Sequence, residues 1–405
     1  MSYGNQQKMG IAAPSAQAVA KARIATQLIF LVCGLGMASW APMVPYAKDR
    51  LGLNDANLGF LLLLLGGGAM LMMPISGWLV GRFGSRIVMA SAAVVLAIAL
   101  PLLLILPSTP AMAVALFIFG SCVGTIDVAM NAHGVQVQNL YGKPIMSSMH
   151  GLFSVGGLLG SLGLGFLIKL GLNPVHAAVS IAVLMIGITL TQFKFLFPPS
   201  VEQQAIVRFS GSEKPAQTNQ RFHWLQGSVL FLGIMCFAVF LAEGAILDWS
   251  AIYLRDIKGI EPEFAGAGYA AFSVAMAVMR LVGDRLVARL NSKSVVVGGS
   301  LIGAAGLGIA VLSPWVIGAL AGFVLLGIGA ANIVPIFFSE AGRLPGISPT
   351  VSISAITTIG YTGMLAGPAM LGYIAQQFSL SIALGFLALL LVLVALSYGV
   401  KGKTN

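Results

Sequence analysis

This 405-residue chain carries only twelve acidic residues, and three of them, Asp127, Glu243 and Asp248, interrupt long apolar stretches. A carboxyl surrounded by hydrocarbon is costly to keep, so each of the three asks for a function. A carboxyl is also a group that can take up and release a proton. Asn131 follows Asp127 by one helical turn on the same face, where it suits holding a solute or orienting the carboxyl. A neutral, hydrogen-bonded structural Asp is the plainer alternative. Glu243 and Asp248 are separated by about 500° of helical rotation and do not share a face. Asp127 and Glu243 are therefore the candidate proton-coupling pair, and Asp248 fits an outer gate or an interfacial position.

Other side chains could hold a solute. Trp40, in Ser39-Trp40-Ala41-Pro42, suits stacking on a flat solute or an interfacial belt. Tyr269, Asn332, Thr357 and Tyr361 place rings, amides and hydroxyls in later apolar segments, and each is also compatible with packing. With Trp40, Asn131 and Asp248 they form the candidate solute-binding set. His150 opens an apolar segment and reads as a water-exposed loop residue rather than a pH-sensitive gate. His133 and Glu340 read as solvated ends. Cys33, Cys122 and Cys236 all fall in apolar runs without CxxC pairing and read as small buried hydrophobes. There is no HExxH, no GxSxG and no metal-spaced cluster. Gly402-Lys403-Thr404 lacks the upstream glycine of a phosphate loop. The chain reads as a non-enzyme without cofactor or metal.

The elements that must position these groups follow from composition. The chain is 58% hydrophobic and 8% charged, against roughly a quarter charged in soluble domains. So few charges cannot cover a water-facing surface, and lipid is the alternative solvent. A crossing helix needs ~20 mostly apolar residues. Twelve such runs are predicted near 22–45, 56–80, 86–106, 111–134, 146–170, 175–197, 226–253, 263–285, 294–312, 315–338, 350–376 and 380–399. The fold class is all-α integral membrane. Residues 198–222 form the longest polar stretch inside the chain and fall at its midpoint. They divide it into a first six-helix bundle, 1–197, a cytoplasmic central loop and a second bundle, 223–405. With the N-terminus inside, seventeen of the 22 Lys and Arg collect on the inner side, Arg280 among them. That bias places both termini in the cytoplasm. It also gives the net charge of +10 a use other than nucleic acid, for which no basic patch with stacking aromatics exists. Nothing near the start resembles a cleaved signal peptide.

The most specific signal is a direct repeat at an offset of 207 residues. It pairs Tyr46 with Tyr253, Asp49 with Asp256, Arg82 with Arg289, Ser85 with Ser292 and Arg86 with Lys293. It goes on to pair Gly120 with Gly327, Ser147 with Ser354, Gly156 with Gly363 and Gly160 with Gly367. One constant offset over that length means two parallel six-helix repeats about a pseudo-two-fold axis along the membrane normal, with a solute site between them.

Gly77-Trp78-Leu79-Val80-Gly81-Arg82-Phe83-Gly84-Ser85-Arg86 resembles the Gly-x-x-x-Asp-Arg-x-Gly-Arg-Arg loop of the Major Facilitator Superfamily. The resemblance extends over essentially the whole chain. Gly77, Arg82, Gly84 and Arg86 match. Gly81 stands where the family has Asp, and its counterpart is Ala288, so Asp284 beside Arg285 is the candidate stand-in. The resemblance makes Gly77, Arg82, Gly84, Arg86, Asp284 and Arg289 the gating candidates. Asp127-Val128-Ala129-Met130-Asn131, His150-Gly151-Leu152-Phe153-Ser154 and Ala242-Glu243-Gly244 are similar to bacterial permeases related to the fucose–proton symporter group. A Gly-Pro pair that marks antiporters of the family is missing at Gly156-Gly157. The resemblance implies a secondary active transporter in the bacterial inner membrane. It would move a small polar solute, sugar-like or a related metabolite, by alternating access in symport with protons. It would work as a monomer in the lipid bilayer, with small-molecule solute and proton as its partners. A proton-coupled exporter of a drug or metabolite, and a non-transporting solute receptor, are the alternatives.

Overall fold

Lipid offers no hydrogen-bond partners, so a crossing backbone must satisfy its own, which helices do. The computed structural model describes residues 14–40, 43–52, 55–210, 226–260 and 267–401. Its helices are α1 (Ala16–Ser39), α2 (Val44–Leu51), α3 (Asp55–Phe83), α4 (Ser85–Ile105), α5 (Thr109–Tyr141), α6 (Met146–Lys169) and α7 (Pro174–Phe193). They continue with α8 (Pro199–Ser210), α9 (Gly227–Ile252), α10 (Ala267–Leu312), α11 (Val316–Ala330), α12 (Ile333–Ala341), α13 (Pro349–Gln377) and α14 (Leu380–Lys401). A π-helical turn, Tyr253–Ile257, extends α9.

Ten of the described helical stretches are long and apolar enough to cross a membrane. The twelve expected crossings are reconciled by two features. The first is α10, whose 46 residues join two crossings at Asn291, which has φ 63°. The second is α13, which has the length but carries Ser352, Ser354, Thr357, Thr358, Tyr361 and Thr362. That many polar groups suit a helix facing protein rather than lipid. One crossing is itself divided, into α11 and α12. Pro335 has no N–H to close a ring on the carbonyl four residues earlier, that of Ala331, and the helix breaks at Ala331–Asn332.

One expectation changes here. Residues 199–210 of the central linker are not loop but helix α8, packed against α5. Residues 211–222 of that linker, and Ala41-Pro42 beside Trp40, lie outside the described residues.

Small residues bring the helices together. A Cβ on Gly120 of α5 would stand 1.9 Å from the Leu65 carbonyl oxygen of α3. One on Gly327 of α11 would stand 2.4 Å from that of Phe272 in α10. Both members of the second pair lie 207 residues beyond those of the first, so the sequence repeat recurs as a backbone contact. The helices before α8 pack mainly on one another, as do those after it. The seam between the two groups is formed by α6 on α10 and α3 on α13.

Candidate functional site

The start of α1, the end of α14, the α3–α4 turn and α8 lie at one end of the bundle, the terminal face. Hydrogen bonds join the two groups of helices among the described residues. The following lie at this face or in the centre. Ser148 N–H donates to Asp284 Oδ1 at 3.2 Å. Arg343 Nε donates to Asn139 Oδ1 at 2.7 Å. Ser354 Oγ donates to the Met73 carbonyl at 2.7 Å, and Arg280 Nη1 to Ser154 Oγ at 3.2 Å.

The first carboxyl, Asp127, is buried within α5. Asn131 Nδ2 donates to its backbone carbonyl at 2.8 Å and to Oδ1 at 3.3 Å. That orientation leaves Asn131 Oδ1 to accept from His150 Nε2 at 3.0 Å. His150 is therefore not the water-exposed loop residue expected. It is buried, stacked on Phe338 with ring centroids 5.7 Å apart and edge-on to Phe30 at 5.2 Å. Asp127 Oδ2 has no hydrogen-bond partner.

The second carboxyl, Glu243 in α9, meets a cation that the sequence reading counted on the inner side, near the end of the run 263–285. Arg280 is 8% exposed. Helix α10 does not end near 285 but runs on to Asn291, which leaves Arg280 about three turns inside it. Its Nη2 lies 3.5 Å from Glu243 Oε2. Its Nε donates to the Ala331 carbonyl at 3.2 Å. That carbonyl is the one Pro335 leaves open, so the broken helix and the buried guanidinium answer each other. Glu243 Oε1 has no partner. Tyr361 of α13 lies within electrostatic range of Asp127, Glu243 and Arg280 alike. One cluster therefore spans the seam: Asp127, Asn131, His150, Glu243, Arg280 and Tyr361.

The other candidates divide. Asn332 is buried at the helix break, with Nδ2 donating to the Met279 carbonyl at 3.2 Å and Oδ1 unpartnered. Thr357 is buried with its hydroxyl unpartnered. Trp40 is buried, with its indole N–H unpartnered. Asp248 and Tyr269 are exposed toward the opposite face and do not join the cluster.

Among the gating candidates, a Cβ on Gly77 would stand 2.9 Å from Ser354 Cβ, so α3 and α13 touch there. Asp284, one repeat later, instead carries a carboxylate that meets an N–H of the first turn of α6, a favourable place for negative charge. Arg82 and Arg289 are exposed, and Arg86 lies over the Phe193 ring at 4.4 Å. Gly84, with φ 83°, makes the α3–α4 turn.

His133 is not a solvated end either. It is fully buried against Glu202 and Ser85, and Glu340, its repeat mate, bonds Tyr398. The burial of His133, like that of His150 and Arg280, comes from helices distant in sequence, and no local signal announces it.

Comparison with known proteins agrees with this architecture. Residues 27–361 match the family model of the Major Facilitator Superfamily. The chain is 47% identical over 375 residues to an uncharacterized MFS-type transporter of Yersinia pestis, covering 93% of this chain and 94% of that one. The E. coli fucose:proton symporter FucP, in its outward conformation, superposes with a TM-score of 0.75 at 14% identity, covering 95% of this chain and 98% of that one. The proton:xylose symporter XylE gives 0.74 at 15% identity, with 95% of each chain covered. A multi-pass bundle with this repeat and this central seam, matched by that model and that relative, belongs to the Major Facilitator Superfamily of membrane transporters.

Proposed function

We propose that the protein is a proton-coupled symporter of a small polar solute, sugar-like or a related metabolite, with Asp127 and Glu243 as the titrating pair. The observation that carries this reading is the pair of unpartnered oxygens, Asp127 Oδ2 and Glu243 Oε1, buried in one cluster across the seam. A buried acceptor without a partner costs about 1–3 kcal/mol or more. Such a cost is offset when a proton or a solute hydroxyl occupies the position during the cycle.

In this reading Asp127 takes the proton, Asn131 and His150 orient its carboxyl, and Glu243 with Arg280 presents charge from the other side. Solute binds between them, near Tyr361, Asn332, Thr357 and Trp40. Asp284, Gly77 and the glycine-marked turns gate the terminal face. The two units of the rocking motion are residues 1–197 and 223–405, with 198–222 between them. The terminal face is cytoplasmic, in a cell inner membrane, and it is the face at which hydrogen bonds such as Ser148–Asp284 and Arg343–Asn139 join the two groups of helices. The proton symport of FucP and XylE supports the coupling by analogy of fold.

A thermal-shift screen of the purified protein against sugars, polyols, nucleosides and organic acids identifies a ligand by its stabilisation. Proton uptake driven by that ligand is then measured in proteoliposomes. Asp127→Asn is expected to abolish it, and undiminished proton flux in that variant refutes the assignment. Accumulation in right-side-out against inverted vesicles separates uptake from export.

A further inference from the structure

Helix α8 is fastened to the first group of helices by a buried polar knot that the central site does not use. Glu202, in its first turn, is 6% exposed and fully paired. Its Oε2 accepts from Ser85 N–H at 3.1 Å, and its Oε1 accepts from Ser85 Oγ at 2.5 Å. His133 Nδ1 lies 2.8 Å from the same Oε1. On the other side of the ring, His133 Nε2 accepts from Phe197 N–H at 3.4 Å. Because Nε2 is the acceptor, the ring hydrogen sits on Nδ1 and points at Glu202. Four segments thus meet in this knot: the start of α4, the last third of α5, the α7–α8 link through His133, and α8 itself.

The neighbouring backbone is shaped for the same contact. A Cβ on Gly84 would stand 2.5 Å from Pro199 Cγ, so α8 begins directly on the α3–α4 turn. A carboxylate at the first N–H groups of α4 also meets the positive end of that helix.

What gives the knot a function is its place beside the seam. Gln203 and Ile206 of α8 line a small cavity together with Val80 and Arg82 at the end of α3 and with Ser348 and Thr350 at the start of α13. Two turns further in, Ser354 of α13 donates to α3 at Met73 and touches Gly77. Opening the terminal face must separate α13 from α3 at this edge. The end of α3 is held by the turn that Glu202 clamps.

We propose that Glu202 is a positioning residue of the transport cycle: by clamping α8 to Ser85 and His133 it fixes the α3–α4 turn against the start of α13 and favours the state closed at the terminal face. The proposal rests on the alternating-access reading above, and its test does not use proton or solute flux.

Nitroxides are attached at Lys143 and Pro345, exposed positions on opposite sides of the seam at the terminal face. Distances are measured by double electron–electron resonance in lipid nanodiscs without solute. In an otherwise unchanged protein one short distance is expected to dominate. Glu202→Gln keeps the size of the side chain but loses the charge-assisted bonds, and is expected to raise a longer-distance population about tenfold. Ser85→Ala removes the hydroxyl's contacts with Glu202 and His133 and leaves α4 its backbone bond to Glu202. It is expected to give a smaller rise, and it is the variant to rely on if Glu202→Gln does not fold. A lower melting temperature with an unchanged distance distribution in these variants assigns the knot a purely structural role and overturns the proposal. Equal distributions would leave the proton-flux result for Asp127→Asn untouched, so the two readings fail separately.

Discussion

Replacing Arg280 by glutamine tests the account of the central cluster most directly. Arg280 and Glu243 have side chains 10% and 15% exposed, so neither charge has much water to fall back on. In Arg280→Gln, Glu243 keeps its position and loses its cation. Removing one partner of a buried ion pair costs about 3–5 kcal/mol because the remaining charge is uncompensated. The Ala331 carbonyl loses its donor as well, a further ~1–3 kcal/mol if glutamine does not reach it. In the double variant Arg280→Gln, Glu243→Gln no charge is stranded, and only the carbonyl and Ser154 bonds are lost. The double variant should therefore be more stable than Arg280→Gln alone, by roughly 2 kcal/mol or more. The assay is thermal unfolding of the unmodified protein, both single variants and the double variant in one detergent, followed by tryptophan fluorescence. A double variant that melts at or below Arg280→Gln, with the two losses simply adding, refutes the pairing.

Two further outcomes follow from the packing and the paired carboxylate. Gly120→Leu drives a side chain into the α3 backbone, where a single Cβ would already stand 1.9 Å from Leu65 O, and should abolish monodisperse protein on size exclusion. Gly163→Ala, with nothing within 4 Å, should leave the elution profile unchanged. For Glu202, burial pushes its acidity constant up, but the bonds from His133 and Ser85 outweigh it and hold the carboxyl below its ordinary value of 4.5. A carboxyl lowered in the folded state stabilises above the unfolded value, and that contribution is lost as pH falls through the folded one. The melting-temperature gap between the unmodified protein and Glu202→Gln should be full at neutral pH and shrink below about pH 4.5. A gap that widens on acidification refutes this sign.

Much of the architecture was legible because lipid imposes simple rules. Long apolar runs must be helices, and a constant offset between runs must be a duplication. The pairing of Gly120 with Gly327 was visible as a match of residue types, and it became a matched pair of backbone contacts. Asp127 and Glu243 stood out because acids are rare in such runs. Arg280 did not, because the predicted run ends at 285 and Arg285 and Arg289 follow closely, so all three were counted together on the inner side. Only the continuation of α10 to Asn291 puts the guanidinium inside. His150 was misread for a different reason. Its place at the start of α6 is exposed by local logic, and the rings that cover it come from Phe30 and Phe338, far away in the chain. Linker helix α8 was hidden by two prolines and a polar composition that also fit a loop. What sequence reading lacked in each case was the neighbour, not the residue type.

The proline at 335 has a consequence for where positive charge is held in the proposed cycle. The oxygen it leaves spare on Ala331 holds one end of the Arg280 guanidinium whatever the state of Glu243. Protonating Glu243 therefore slackens one tether without setting the cation adrift. In the proposed cycle, a neutralised Glu243 would leave a fixed positive group at the seam, still donating to Ser154 Oγ and free to donate to an electron-rich guest. The kink thus acts as an anchor point, separating the question of who carries the proton from the question of where the positive charge stays.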